Sequence, residues 1–360
     1  MARENIFNFS AGPSVMPLPA LESARQELLD YKGCGMSVME MSHRSKLFQD
    51  IFDRTKLSLK ELMGVPDTHD ILFLQGGATL QFAAIPMNLM EGGCADYAIT
   101  GNFSRKAAVE AEKYGKVNIA GDSSATGFDR IPSQEELKFT DGAKYFYYCG
   151  NNTVFGTEWQ YVPETSAPLV CDMSSDILSY PMDVSRFGMI YAGAQKNMAP
   201  AGLTVVIVDK ALLGRELPFT PQVMSYKVLS DHDSMLNTPP CWCIYMLGLT
   251  LDWIRDQGGV QAMDAMRRKR ASLLYDFLDN SRIFKAHALP GSRSFMNVTF
   301  STGDKELDAE FIKGGADIGL VNLKGHKVAG GMRASIYNAM PLEGVQKLVN
   351  YMKEFELSHV

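Results

Sequence analysis

Apolar and polar positions along this chain fall into two rhythms. Nearly unbroken apolar runs, bounded by glycine or polar loops, occupy Asp70 to Gln75, Ala95 to Thr100, Val117 to Ala120, Lys144 to Cys149, Leu169 to Ser174, Phe187 to Tyr191 and Leu203 to Val208. Runs of this kind predict strands buried on both faces. Between them, apolar residues recur three and four apart over Leu18 to Tyr31, Phe48 to Met63, the stretch following Gly76-Gly77-Ala78-Thr79, and Ser104 to Tyr114. That spacing predicts helices, the first opened by Pro17 and Pro19. A short helix from Ser133 to Leu137 carries Glu136 in capping-box position. Alternating strands and helices of this length predict an α/β fold, a mostly parallel sheet covered on both faces.

Beyond a mixed stretch from Leu212 to Met235, the rhythm changes. Asn237-Thr-Pro-Pro240 opens a long helical region, Cys241 to Gln257 and then Val260 to Asn280. Strands at Met296 to Phe300 and Met332 to Tyr337, a helix at Leu307 to Gly314 and a closing amphipathic helix at Leu342 to Leu357 predict a smaller α/β domain. The expected division is a large domain over 16–258 and a small one over 259–360. Residues 1–15, with a turn at Gly12-Pro13, are expected to pack near the small domain.

Composition narrows the classes of function. The net charge is -6, and the one basic run, Met266-Arg-Arg-Lys-Arg270, lies in a helical pattern and reads as a solvated face, so no nucleic-acid partner is expected. The cysteines, Cys34, Cys94, Cys149, Cys171, Cys241 and Cys243, lack zinc-ligand spacing and read as reduced, buried residues. No metal site is expected. With no signal-like start and no long apolar span, the expectation is a soluble, cytoplasmic protein away from membranes.

Two residues do not fit the apolar pattern. Lys196 sits in Y-A-G-A-Q-K-N, between two runs that read as buried strands, and Asp172 ends another in L-V-C-D-M-S. A buried amine is costly unless paired or covalently used. An acid and an amine at strand ends suit pyridoxal phosphate, whose ring nitrogen wants an anion and whose aldehyde wants an amine. On spacing alone a structural ion pair explains them equally well. The turn Gly76 to Thr79 has the strand–glycine–helix layout that binds phosphate, without being a dinucleotide or Walker motif. Phe103 and Thr153 also fall at strand ends, where ligands bind in such sheets. His43 and Arg44 share a polar loop, and Arg333 lies in an alternating strand. For both, a surface position is the simplest account.

Taken together, N-F-S-A-G-P (8–13), M-S-H-R-S (41–45), Q-G-G-A-T-L-Q-F (75–82), Y-A-G-A-Q-K-N (191–197), N-T-P-P (237–240) and G-M-R-A-S-I-Y-N-A-M (331–340) resemble the phosphoserine aminotransferase family, class V of the fold-type I aminotransferases. The resemblance spans essentially the full length. It implies a seven-stranded, mostly parallel large-domain sheet and amino transfer between L-glutamate and 3-phosphohydroxypyruvate. Lys196 resembles the Schiff-base lysine and Asp172 the partner of the pyridine nitrogen. Ala78, Thr79 and Gln195 resemble phosphate ligands, Thr153 a ligand of the ring hydroxyl, and Phe103 the residue stacked on the ring. Asn237 and Thr238 resemble residues reaching the cofactor phosphate across a homodimer. Arg333 is similar to the clamp on the substrate α-carboxylate. His43, Arg44 and His326, with Ser10 nearby, are similar to the group receiving the substrate's distal anion.

The chain departs from the family pattern twice. Phe103 stands where many members have tryptophan, and Thr79 where some have an arginine directed at the substrate phosphate. Rival readings are an alanine–glyoxylate type enzyme, a cysteine desulfurase, and a non-catalytic binding protein of the same fold. The desulfurase needs a cysteine on a mobile loop, whereas all six here are expected to be buried. Use of 4-phosphohydroxy-threonine as a second substrate is left open.

Overall fold

A computed structural model describes residues 2–360. In chain order the strands are β1 (Phe7–Asn8), β2 (His69–Leu74), β3 (Cys94–Ile99), β4 (Lys116–Asp122), β5 (Phe146–Cys149), β6 (Asn151–Asn152), β7 (Thr157–Glu158), β8 (Leu169–Asp172), β9 (Met189–Gly193), β10 (Thr204–Asp209), β11 (Lys285–Ala286), β12 (Asn297–Ser301), β13 (Leu320–Val321) and β14 (Met332–Ser335). The helices are α1 (Leu18–Gln26), α2 (Lys46–Met63), α3 (Gly77–Leu89), α4 (Asn102–Ala111), α5 (Tyr226–Asp231), α6 (Cys241–Asp256), α7 (Gly259–Asn280), α8 (Lys305–Asp317) and α9 (Leu342–His359).

The expected sheet is present, with seven strands in the order β2-β10-β9-β8-β5-β3-β4. Only β10 runs antiparallel to its neighbours. Because β10 reverses direction between β2 and β9, those two strands are parallel to each other. The carboxyl ends of β2, β3, β5, β8 and β9 therefore share one edge. Side chains alternate between two buried faces. Phe73, Tyr148, Cys171, Ile190 and Val205 pack on one side with α2 and α6 residues such as Phe52 and Leu247. Leu72, Tyr147, Val170, Tyr191 and Val206 pack on the other, with α3 and α4 residues such as Ile85 and Ala108. Covering both faces is why these strands read as continuous apolar runs.

A third core joins Leu274, Phe284, Val298, Phe311, Ala334 and Val349 from the C-terminal elements, and it takes in Phe9. β12 forms the centre of a three-stranded sheet between β11 and β14. β1 pairs in parallel with β13, which ties the N-terminal segment to the C-terminal unit.

Several element ends differ from expectation for local reasons. α1 stops at Gln26 rather than Tyr31, because Asp30 accepts from Gly35 N at 2.7 Å and Lys32 takes φ 50°. α2 begins two residues early because Ser45 Oγ accepts from Phe48 N, the usual N-cap bond. α5, inside the stretch without a clear pattern, is a single short helix capped by Ser225. The cysteines are corrected in part. Cys149, Cys171 and Cys243 are buried, whereas Cys34, Cys94 and Cys241 are partly exposed.

Candidate active site

The edge shared by the parallel strands collects the chemistry. Register places Cys149, Asp172 and Tyr191 side by side on β5, β8 and β9. Asp172 is 5% exposed. Its Oδ1 accepts from Ser174 N at 2.9 Å and its Oδ2 from the Tyr191 hydroxyl at 3.0 Å. A buried carboxylate held by two donors has lone pairs left for a third.

Past the end of β9 the chain turns through Ala194 to Lys196. The N-terminal segment lies against this turn. Ser14 N donates to Gln195 O at 3.0 Å, and Ser14 Oγ donates to Lys196 O at 2.5 Å. Gly12, at φ 142°, has to be glycine here, since a Cβ would sit 3.3 Å from Lys196 Cγ in a region of φ that side chains avoid. Tyr337 Oη donates to Ala11 O at 2.7 Å and anchors the segment from the other side.

The Lys196 amine donates to Thr153 Oγ1 at 2.7 Å and lies 5.7 Å from the centre of the Phe103 ring. Thr153 in turn accepts at its backbone oxygen from Arg333 Nη1 at 3.2 Å. Thr153 thus joins Lys196, from the large sheet, to Arg333, from β14. Neither cation has a carboxylate within ion-pair distance among the described residues. Burial pulls the Arg333 guanidinium below its ordinary value, the mark of a positive charge short of an anion.

His326 stands in the same field. Burial first, then the charges of Arg333, Lys327 and Lys106, push its imidazole below the usual range. Its Nδ1 accepts from Val328 N at 3.2 Å, which leaves Nε2 to donate outward. Lys106, one turn along α4 from Phe103, lies 5.9 Å from that ring. Lys106 and Lys327 are absent from the sequence-based set. Both are exposed lysines, and only the fold shows that they face His326.

At the end of β2, Gly76 and Gly77 adopt φ 89° and 67°, and α3 starts with no side chain capping it. Ala78 and Thr79 lie in this first turn, partly exposed and exposed. Its backbone N–H groups are free to meet an anion. α3 also packs against β9, the strand that leads to Lys196. Gln195 is only partly buried and its side chain folds back over Gly193.

Other expected residues stand apart. Ser10 N donates to Asn8 Oδ1 in the loop after β1. His43 is 7% exposed with Nε2 unpartnered, and the adjoining Arg44 is exposed. Neither touches the Lys196 group within this chain. Asn237 and Thr238 are exposed and hydrogen-bond Gln75 at the end of β2, through Asn237 Nδ2 and Thr238 O. Cys149 is near both Asp172 and Lys196, but burial pushes its thiol well up. That is the wrong direction for a thiolate nucleophile.

Comparison with known proteins agrees with this geometry. The family model for aminotransferase class V matches residues 6–348. The chain belongs to the class-V aminotransferases. This aminotransferase is 50% identical over 358 residues to a phosphoserine aminotransferase of Bacillus cereus, covering 99% of both chains. Its fold matches phosphoserine aminotransferase from Bacillus circulans subsp. alkalophilus with a TM-score of 0.97 at 42% identity, covering 99% of this chain and 100% of the other. It also matches a pyridoxal-phosphate-bound phosphoserine aminotransferase from Trichomonas vaginalis with a TM-score of 0.93 at 40% identity, covering 97% and 99%. The class-V aminotransferase is a pyridoxal-phosphate-dependent transaminase. The donor set fits that cofactor. It offers a primary amine without a counter-ion, a buried carboxylate with free lone pairs, an aromatic face beside the amine and an open helix N-terminus.

Proposed function

We propose that this transaminase moves an amino group reversibly from L-glutamate to 3-phosphohydroxypyruvate, giving O-phospho-L-serine and 2-oxoglutarate, in cytoplasmic serine biosynthesis. The observation that carries the reading is the bridge at Thr153. It sets a lysine amine and a half-buried, unpaired arginine on either side of one threonine, with a histidine and two further lysines beyond.

Each residue then has a physical task. Lys196 would hold the cofactor through its aldehyde, and its amine is placed to move a proton at the substrate Cα. Asp172 would pair with the ring nitrogen and keep it protonated. Phe103 supports the ring face with less area than an indole would. Ala78 and Thr79, through the start of α3, and Gln195 hold the phosphate, and Thr153 the ring hydroxyl. Bound there, pyridoxal phosphate supplies the electron sink for charge left on the substrate Cα. Arg333 grips the α-carboxylate in the paired geometry arginine offers.

The distal anion, phosphate in one half-reaction and carboxylate in the other, meets His326, Lys106 and Lys327, with Ser10 at the rim. His43 and Arg44, which stand apart from this group within one chain, complete the pocket from a second copy of the chain. Flexible point charges accept both shapes. Lys106 and Lys327 supply the positive charge that Thr79 does not. The same pocket suits 4-phosphohydroxy-L-threonine of pyridoxine biosynthesis, which carries the same carboxylate, amine and phosphate.

The proposal includes a homodimer, with 16–258 and 259–360 as the domains of each subunit. A groove of about 440 Å³ beside the start of α3 is lined by Gly76, Leu80, Val223, Asn237 and Pro239, and Leu80 and Val223 are exposed at its rim. A second copy seated there covers these apolar side chains and brings its own Asn237 and Thr238 to the phosphate.

The test is a titration of the purified holoenzyme, following cofactor absorbance as phosphoserine, alanine and cysteine are added separately. Conversion by phosphoserine alone is expected. Conversion by alanine but not phosphoserine would overturn the substrate, and absence of any cofactor band would overturn the activity.

A further inference from the structure

We propose that Tyr191 is a positioning residue for Asp172, its hydroxyl holding that carboxylate oriented and ionised so that the ring nitrogen facing it keeps its proton. The proposal rests on the reading of Asp172 given above.

The contact is built into the sheet. Asp172 and Tyr191 are register partners on β8 and β9, and Tyr147 points to the same face from β5. The Tyr191 hydroxyl lies 3.0 Å from Asp172 Oδ2, and the Tyr147 hydroxyl lies 2.8 Å from that of Tyr191. Tyr191 and Tyr147 are 0% and 1% exposed, so no water competes for these bonds. An ionised carboxylate only accepts. The Tyr191 proton must therefore point at Asp172, and the Tyr191 oxygen is left to accept from Tyr147. The chain of donors has one direction, and it ends on the acid. Burial, followed by the Asp172 charge, pushes both phenols well above their ordinary range. They remain donors at every working pH.

The consequence concerns where one proton sits. If it moved from the ring nitrogen to Asp172, a charge-assisted hydrogen bond from Tyr191 would become a neutral one, roughly half as strong. In a site closed to water that loss is not made up. The phenol pair therefore weights the balance toward protonated nitrogen and ionised acid. Packing alone asks for aromatic rings at these positions. It does not ask for hydroxyls in line with a carboxylate.

The experiment uses holoenzyme reconstituted with pyridoxal phosphate carrying ¹⁵N in the ring, read by nitrogen NMR. In the unaltered protein the signal is expected in the protonated range. Asp172→Asn should move it toward unprotonated pyridine. Tyr191→Phe should move it the same way by less, and Tyr147→Phe by less again. If Asp172→Asn moves the signal and Tyr191→Phe leaves it in place, the role of Tyr191 is overturned and the reading of Asp172 stands. If Asp172→Asn leaves it unmoved, both fall. Should Tyr191→Phe fail to hold cofactor, Tyr147→Phe decides alone, and a signal at the unaltered position overturns the proposal. A merely structural tyrosine would lower the melting temperature without moving the nitrogen.

Discussion

Lys196 is surrounded by groups that hold its backbone and leave its amine to one threonine hydroxyl. Ser14 binds its carbonyl, Gly12 gives its stem room, and Thr153 Oγ1 accepts a hydrogen bond from its amine. Removing the amine should therefore spare the framework. Lys196→Ala is expected to abolish transamination while circular dichroism and melting temperature stay near those of the parent, and turnover at the parental rate would refute its role. Arg44 presents the opposite case, an exposed cation with no acid partner among the described residues. Arg44→Ala should raise KM for 3-phosphohydroxypyruvate by about tenfold or more, equivalent to ~1.4 kcal/mol, with cofactor affinity unchanged. Steady-state kinetics beside a cofactor-binding titration reads both quantities. The reverse pattern would move Arg44 out of the substrate pocket.

At the scale of elements, the turn from β2 into α3 couples stability to ligand binding. Gly76 takes φ 89°, and a methyl there would run into the Leu80 side chain. A non-glycine residue in that conformation costs about 1–3 kcal/mol, and the first turn of α3 would be displaced as well. Gly76→Ala should lower the melting temperature and weaken cofactor retention together, as thermal melts of the apo and holo forms would show. Equal melting of the parent and variant apo forms would show that the turn tolerates a side chain. This element was readable from its sequence, because glycine between an apolar strand and a helix has a purely local cause. The end of α1 was not, since it depends on Asp30 meeting Gly35 and on Tyr31 packing edge-on against Tyr245 in α6.

At the scale of the molecule, the two-stranded β6–β7 sheet beside the large sheet and the C-terminal elements meet through buried polar groups. Arg267 on α7 binds Glu158 on β7 at 2.6 Å, both nearly inaccessible. Close by, Asp176 is 1% exposed with Oδ1 unpartnered, and burial, helped by the charge of Glu158, pushes its carboxyl up to about 8. The folded value thus lies above the unfolded one, so the folded state binds the proton more tightly. The stability this contributes is complete below the unfolded value and is lost as pH rises through about 8. Asp176→Asn should flatten that decline, raising the melting temperature at pH 8 more than at pH 5. A parallel shift at both values would mean that Asp176 is ionised when folded. Assembly gives a second prediction at this scale. Val223→Asp, on the proposed dimer face, should shift the protein toward monomer in light scattering and loosen the cofactor, and an unchanged mass would place the interface elsewhere.

Local rules governed much of this protein before any tertiary contact was known. Buried apolar runs gave away the sheet strands, three-four spacing the helices, and Lys196 and Asp172 stood out because charge at the end of a buried strand is costly. These signals lie between neighbours in the chain, where periodicity and turn chemistry act. Tertiary structure alone decided that Arg333 reaches Thr153, that Ser14 and Gly12 cradle Lys196, that Lys106 and Lys327 share the field of His326, and that the hydroxyl of Tyr191, read only as part of an apolar run, ends on Asp172. Each of these meetings depends on strand register and on packing between distant segments. A tyrosine in a buried strand satisfies the apolar pattern whether or not its hydroxyl finds a partner, and only the fold supplies the partner.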